Sequence, residues 1–361
     1  MKNITRMTRD ILFHWMIKNE PDIIKALDES NHTVEFDKPN IFHAEGSVKS
    51  HILMVMTWIE AKYGDSYLLD SEYSMVITAA MLHDIGKPEC QETMPANETK
   101  PIRNSFKGHE GCSTFNSVGV LKKLQRDFPE IYSDELIKDI ISLVSLHGTY
   151  IDENSDLYLY KKILREADKR GAIRLVSEEE FAQYEKRKYI SRNKLKQDKH
   201  LVVLIGLPAS GKSTLCEDYK SRGYSVLSRD DTIAKYILLE SVQYRDDMDY
   251  NIMYDLIHKD DNELKKFNEF FEDCIRGLSR QDKVVIDMTM LSLSSRRKML
   301  SKFPEHKADA VVVLTDNDTL KERAQNRPGK HIANYVYFDM KRSFVMPVKE
   351  EGFETINIII N

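Results

Sequence analysis

The sequence predicts two domains, an all-helical N-terminal half followed by an α/β half built on a parallel sheet. Three observations carry this. Apolar residues recur at helical spacing through the first ~175 residues. From Leu201 onward, short apolar runs rich in β-branched residues alternate with helical stretches, which is the pattern of parallel strands joined by crossover helices. A chain of 361 residues also exceeds a single domain of roughly 100–200 residues.

In order, the helical spacing runs through VKSHILMVMTWIEAKY, SMVITAAMLHDIGK, DELIKDIISLVSLHG and YLYKKILREADKRGAI. Gly86, Gly148 and Gly171 stand where helix ends are expected, and Pro88 follows as a stop. The first 40 residues match no motif; Ile11, Leu12, Phe13 and Trp15 either pack on the helices or shape an entrance. Strand candidates are LVVLIG, SVLS (225–228), KVVIDM (283–288), ADAVVVLT (308–315) and TINIII (355–360). These place a helical domain at 1–180, a linker at 181–199 and the α/β domain at 200–361. Between 186 and 199 lie seven Lys or Arg and one acid, either a solvated connector or a basic strip for strand phosphates. RDDMDYN (245–251) reads as a solvated loop or a helix start.

Composition narrows the class. Hydrophobic residues at 41% and charged residues at 31% fit a folded, water-exposed protein. No apolar run approaches the ~18 residues that span a bilayer, and charges interrupt the N-terminal segment where a signal peptide needs an apolar core. Cys90, Cys112, Cys216 and Cys274 are scattered, as expected of a reduced, cytoplasmic protein. A net charge of −5 argues against non-specific coating of nucleic acid but allows a local basic groove.

Residues 206–213, GLPASGKS, form G-x-x-x-x-G-K-S between a strand and a helix. Gly206, Ala209, Ser210, Gly211 and Thr214 would cradle a nucleoside triphosphate with backbone N–H groups at a helix N-terminus. Lys212 would reach the β- and γ-phosphates, and Ser213 would ligate Mg²⁺. SVLSRDD sets Asp230 and Asp231 at a strand's C-terminal edge, where one carboxylate accepts a proton from an attacking hydroxyl or both simply begin the next helix. Asp287 ends another strand, suited to the Mg²⁺ shell or to the acceptor hydroxyl, and Arg296 is a candidate substrate contact. Arg323 and Arg327 share one helical face before a Pro-Gly break, as a phosphate-clamping lid would.

In the N-terminal half, His83-Asp84 ends an apolar helix, and His51, His109, His147 and Asp168 lie in or beside other helical segments. Ionisable groups are costly among apolar residues unless partnered, so the set points to a metal centre. Imidazole mixed with carboxylate suits Mn, Fe, Co, Ni or Zn. His43 and Lys87 flank the set as candidate substrate contacts.

The order H…HD…H…H…D resembles the HD phosphohydrolase superfamily over roughly 40–175. The resemblance implies one metal on His51, His83, Asp84 and Asp168, and a second involving His109 and His147. GLPASGKS, SRDD, VVIDMT followed by RR, ERAQNR and the terminal stretch IANYVYFDMKRSFVMPVKEEGFETINI resemble the polynucleotide kinase branch of P-loop phosphotransferases. That implies Asp230 as general base, Lys212, Arg323 and Arg327 on phosphates, and Asp287 positioning the acceptor. Related kinases often carry Arg three residues after the base; here the residue is Ile233. The whole chain resembles HD-domain–polynucleotide kinase fusions of nucleic-acid end healing. The implied activities are ATP-dependent phosphorylation of 5′-hydroxyl ends and removal of 2′,3′-cyclic, 2′- or 3′-phosphates. RNA is the expected substrate, ahead of DNA, with a ligase acting downstream. The alternative is a nucleoside or sugar kinase fused to a nucleotide phosphohydrolase. A degenerate sensor would not need six metal-suited side chains.

Overall fold

Helical spacing in the first half and alternating strand and helix in the second become separate structures in the computed structural model. It describes residues 5–35, 37, 39, 40, 43–66, 68–97, 102–148, 153, 155–174, 199–240, 248–326 and 330–361. The chain divides into two compact units, Met1–Tyr189 with Lys341–Met346, and Ile190–Met340 with Pro347–Asn361. The basic run lies outside the described residues except for Lys199.

The first unit is built on α1 (Arg9–Asn19), α2 (Pro21–Glu29), α3 (Val48–Tyr63), α4 (Asp70–Leu82), α5 (Lys87–Cys90), α6 (His109–Asp127), α7 (Asp134–Leu146) and α8 (Tyr158–Gly171). α4 is its centre: every side chain from Tyr73 to Leu82 is buried. α3 packs on α4 and α8, and α7 packs on α4 and α6. Ser47 and Ser133 start α3 and α7 by accepting from Ser50 N and Leu136 N. α1 packs on α3 and α4 through buried Leu12, Trp15 and Met16, and Trp15 Nε1 donates to Asp127 Oδ2 at 2.9 Å. An antiparallel hairpin, β1 (Glu92–Met94) with β2 (Arg103–Ser105), is an element the helical pattern did not announce.

The second unit carries five parallel strands, β3 (Lys199–Ile205), β4 (Ser225–Ser228), β5 (Lys283–Asp287), β6 (His306–Leu314) and β7 (Phe353–Ile360), in the order β4-β5-β3-β6-β7. Leu201 to Ile205 are all buried, as a central strand covered on both faces must be. Val202, Leu204, Val285, Val311 and Val313 pack with Cys216 of α9 (Lys212–Ser221). This unit also holds α10 (Arg229–Glu240), α11 (Tyr250–His258), α12 (Asp261–Leu278), α13 (Leu293–Leu300) and α14 (Asn317–Gln325), while α15 (Asn334–Ser343) begins in it and ends in the Lys341–Met346 segment counted with the first unit. Asp249 of the acidic segment caps α11 by accepting from Ile252 N, the helix-start alternative for that stretch. Because β3 has β5 on one side and β6 on the other, the crevice past its C-terminal end is the natural ligand position.

Candidate functional sites

The six metal-suited residues converge in the first unit. His51 comes from α3, His83 and Asp84 follow α4, His109 opens α6, His147 caps α7, and Asp168 sits in α8. The turn after α4 can approach α6 because residue 86 is glycine: a Cβ there would lie 2.3 Å from Ser113 N.

Each ring is held from behind. The Nδ1 atoms of His83, His109 and His147 lie 2.8, 2.8 and 2.6 Å from the carbonyls of Ala80, Phe106 and Val144. A carbonyl only accepts, so each Nδ1 carries the proton and each Nε2 faces inward. His51 Nε2 lies 2.9 Å from Asp168 Oδ1 and 3.6 Å from Asp84 Oδ2. His83 Nε2 is 3.2 Å from Asp84 Oδ2 and 3.7 Å from Asp168 Oδ1. On the other side of Asp84, His109 Nε2 and His147 Nε2 are 3.2 and 3.9 Å from Oδ1 and 3.1 Å from each other.

Two sets able to hold an ion result, His51–His83–Asp84 and Asp84–His109–His147, with Asp84 in both. Divalent metal fits this chemistry. His83 Nε2 and both Asp84 oxygens are buried without a well-directed hydrogen bond, an arrangement that a cation would satisfy. Burial alone would depress His83, but Asp84 and Asp168 hold it up at about 10. Asp84 is held well below the usual carboxylate range, because His83 and Lys87 outweigh its burial. His147, buried and next to His109, is pushed down to about 4.

Lys87 is buried, with Nζ 2.7 Å from Asp84 Oδ2 and 3.1 Å from His32 Nε2. His43 is partly exposed; its ring stacks on His32 at 4.3 Å, and its Nδ1 lies 2.8 Å from Glu45 Oε1. His32, His43 and Glu45 are close enough to suggest a third ion. The stacking argues otherwise: the rings are 12° from parallel, and one ion cannot lie in both ring planes.

In the second unit a cavity of about 800 Å³ opens past β3, lined by the phosphate loop, Asp230, Asp231, Asp287 and Arg323. Gly211 adopts φ 101°, which a side chain would strain, at the turn into α9. Thr315 Oγ1 and Asn361 Nδ2 donate to Ser210 O at 3.0 and 2.8 Å. Lys212 Nζ donates to Leu207 O at 2.7 Å, and Ser213 Oγ donates to Asp287 Oδ2 at 3.0 Å. Burial raises the Asp287 carboxyl against the pull of Lys212. Ala209 and Thr214 also line the cavity. The Asp231 amide is taken by Ser228 Oγ rather than by an aspartate cap, and Asp230 pairs with Lys330. Lys330 Nζ also sits 3.8 Å over the Tyr250 ring.

One expected contact is corrected. Arg296 is fully buried and cannot reach a substrate. Its guanidinium forms a two-pronged pair with Glu351, at 2.7 and 2.8 Å, and donates to the carbonyls of Met290 and Leu291. Ile233, where related kinases often carry Arg, is buried too. Arg327 lies outside the described residues. Sequence reasoning passed over Glu45, His32 and Lys330. Glu45 was within reach, a carboxylate two residues from His43 and six from His51; His32 and Lys330 carry no local signal.

Residues 48–173 match the family described as HD domain, and residues 201–347 match AAA_33, an AAA domain family. The chain therefore carries an HD phosphohydrolase domain followed by a P-loop kinase-like domain. Among solved structures, a protein from Chloroflexus aurantiacus described only as a candidate kinase is 12% identical, covering 45% of this chain and 86% of its own, with a TM-score of 0.34. TT1252 from Thermus thermophilus is 19% identical, covering 46% and 90%, with a TM-score of 0.31. At such scores neither likeness bears on function. No helix among the described residues is long and apolar enough to cross a membrane.

Proposed function

We propose that the chain heals RNA ends. The kinase unit transfers the γ-phosphate of ATP to a 5′-hydroxyl, and the HD unit removes phosphate from 2′,3′-cyclic, 2′- or 3′-phosphate ends. The observation that carries this reading is Asp84, shared by two ligand sets in a chain that also holds a phosphate loop facing a carboxylate. Two such centres do opposite things to phosphate, and a broken RNA needs both before a ligase can join it.

In the HD unit, His51, His83, Asp84 and Asp168 would hold one divalent ion, and Asp84, His109 and His147 a second. Bound ions supply Lewis acidity and a water acidic enough to attack a phosphate ester. In the kinase unit, Asp230 would receive the proton of the attacking hydroxyl, Lys212 and Arg323 would stabilise the transferring phosphoryl group, and Ser213 with Asp287 would hold Mg²⁺, which neutralises phosphate charge when bound. RNA is favoured over DNA because a cyclic phosphate requires a 2′-hydroxyl.

The test is one short RNA with a 5′-hydroxyl and a 2′,3′-cyclic phosphate, incubated with ATP, Mg²⁺ and Mn²⁺, with both ends read by mass spectrometry. A gained 5′-phosphate and a freed terminal hydroxyl support end healing. Unchanged ends, with free nucleosides or nucleotides consumed instead, would move the protein to small-molecule chemistry.

A further inference from the structure

Three of the four inward-facing imidazoles take their orientation from a backbone carbonyl three residues back. His51 does not. Its Nδ1 lies 2.9 Å from Glu45 Oε1, in ion-pair range but off the line of a well-directed hydrogen bond, and both side chains are fully buried. The same oxygen lies 2.8 Å from His43 Nδ1. The second oxygen, Oε2, accepts from the Ile173 N–H at 2.9 Å, just past the helix that carries Asp168. One carboxylate thus touches a candidate metal ligand, the partly exposed imidazole beside it, and the backbone behind another ligand.

A buried carboxylate is costly unless its oxygens are met by donors. Here the His43 ring and the Ile173 amide donate to them, and the 2.9 Å approach of His51 Nδ1 to the same carboxylate is repulsive unless that nitrogen, too, carries its proton. His51 then has its Nε2 lone pair directed at Asp84 and Asp168. A charged acceptor behind an imidazole also makes the opposite nitrogen a stronger donor to a metal than a neutral carbonyl does.

We propose that Glu45 is a positioning residue of the HD centre. It fixes the tautomer and orientation of His51, strengthens its grip on the first divalent ion, and locks His43 to the same oxygen. This rests on the metal-dependent reading of the HD unit. Metal binding therefore serves as the readout, separately from RNA chemistry.

The experiment is calorimetric titration of the intact, metal-stripped protein with Mn²⁺, alongside thermal unfolding. Glu45→Gln keeps the shape but loses the charge, and its NH2 must face a donor, either the Ile173 N–H or the two rings, so it should weaken Mn²⁺ binding at this site by about 10- to 100-fold. Glu45→Asp, charged but shorter, should fall between Glu45→Gln and wild type. Unchanged Mn²⁺ affinity in Glu45→Gln, with only a lower unfolding temperature, would reduce Glu45 to a structural tie on Ile173 and overturn the proposal. Wild-type protein that binds no Mn²⁺ overturns the metal reading and this proposal together. Wild-type protein that binds Mn²⁺ yet leaves RNA ends intact overturns only end healing, because the Glu45 comparison is decided by affinity.

Discussion

Asp84 has its two oxygens within 3.2 Å of rings on opposite sides, His83 at Oδ2 and His109 at Oδ1, with Lys87 at 2.7 Å. Asp84→Ala should therefore empty both ion sites and reduce phosphate removal to background, with 5′-phosphorylation retained. Elemental analysis checks it directly; two ions still bound to Asp84→Ala would refute the shared ligand. Arg296 makes a contrasting case. A guanidinium on an SSRRK helix looks like solvent-facing charge, yet Glu351, 55 positions away in sequence, takes it inside. Removing one partner of a buried pair strands the other, so Arg296→Ala should cost about 3–5 kcal/mol of stability. Arg296→Met with Glu351→Leu should recover much of that loss in urea unfolding, since an apolar pair leaves no buried charge.

At the scale of elements, the HD centre is a device of helix ends. Rings that follow a helix, or open one, sit where carbonyls three residues back are close enough to bind Nδ1, so local backbone geometry selects the tautomer. With the ring proton placed behind, metal competes with a second proton for Nε2. Asp84 and Asp168 hold His83 up at about 10, and His51 and His109 are raised as well, so those protons must leave before a metal binds. Mn²⁺ affinity should rise steadily from pH 6 to 8, with protons released on binding. The dependence of the titration enthalpy on buffer ionisation measures that release; a pH-independent affinity would mean that the rings are neutral beforehand. The same scale explains what could be read from the chain alone. GLPASGKS is local: strand, turn and helix are consecutive, so motif and geometry coincide. The six ligands were legible by type because charge amid apolar spacing is conspicuous. His32 and Lys330 were not, because their roles depend on segments brought together by the fold, whereas Glu45, two residues from His43, was in reach. The β1–β2 hairpin was missed because three-residue strands leave almost no period to detect.

At the scale of the whole chain, each reaction has its own set of residues, all of the hydrolase set in one compact unit and all of the kinase set in the other. The two activities should therefore fail one at a time. Lys212→Ala removes the ammonium at the phosphate loop and should abolish 5′-phosphorylation while RNA with a cyclic end is still opened and dephosphorylated. Binding can be scored without catalysis. A ligand that binds only folded protein at one hundred times its dissociation constant stabilises it by about 2.7 kcal/mol. Wild-type protein should show that gain on adding ATP with Mg²⁺, and a separate gain on adding Mn²⁺. In Lys212→Ala the first gain should shrink sharply and the second should persist; in Asp84→Ala the pattern should reverse. If either variant lost both gains while keeping its helical signal, the two centres would share structure, and end healing would be one coupled reaction rather than two independent repairs on a single chain.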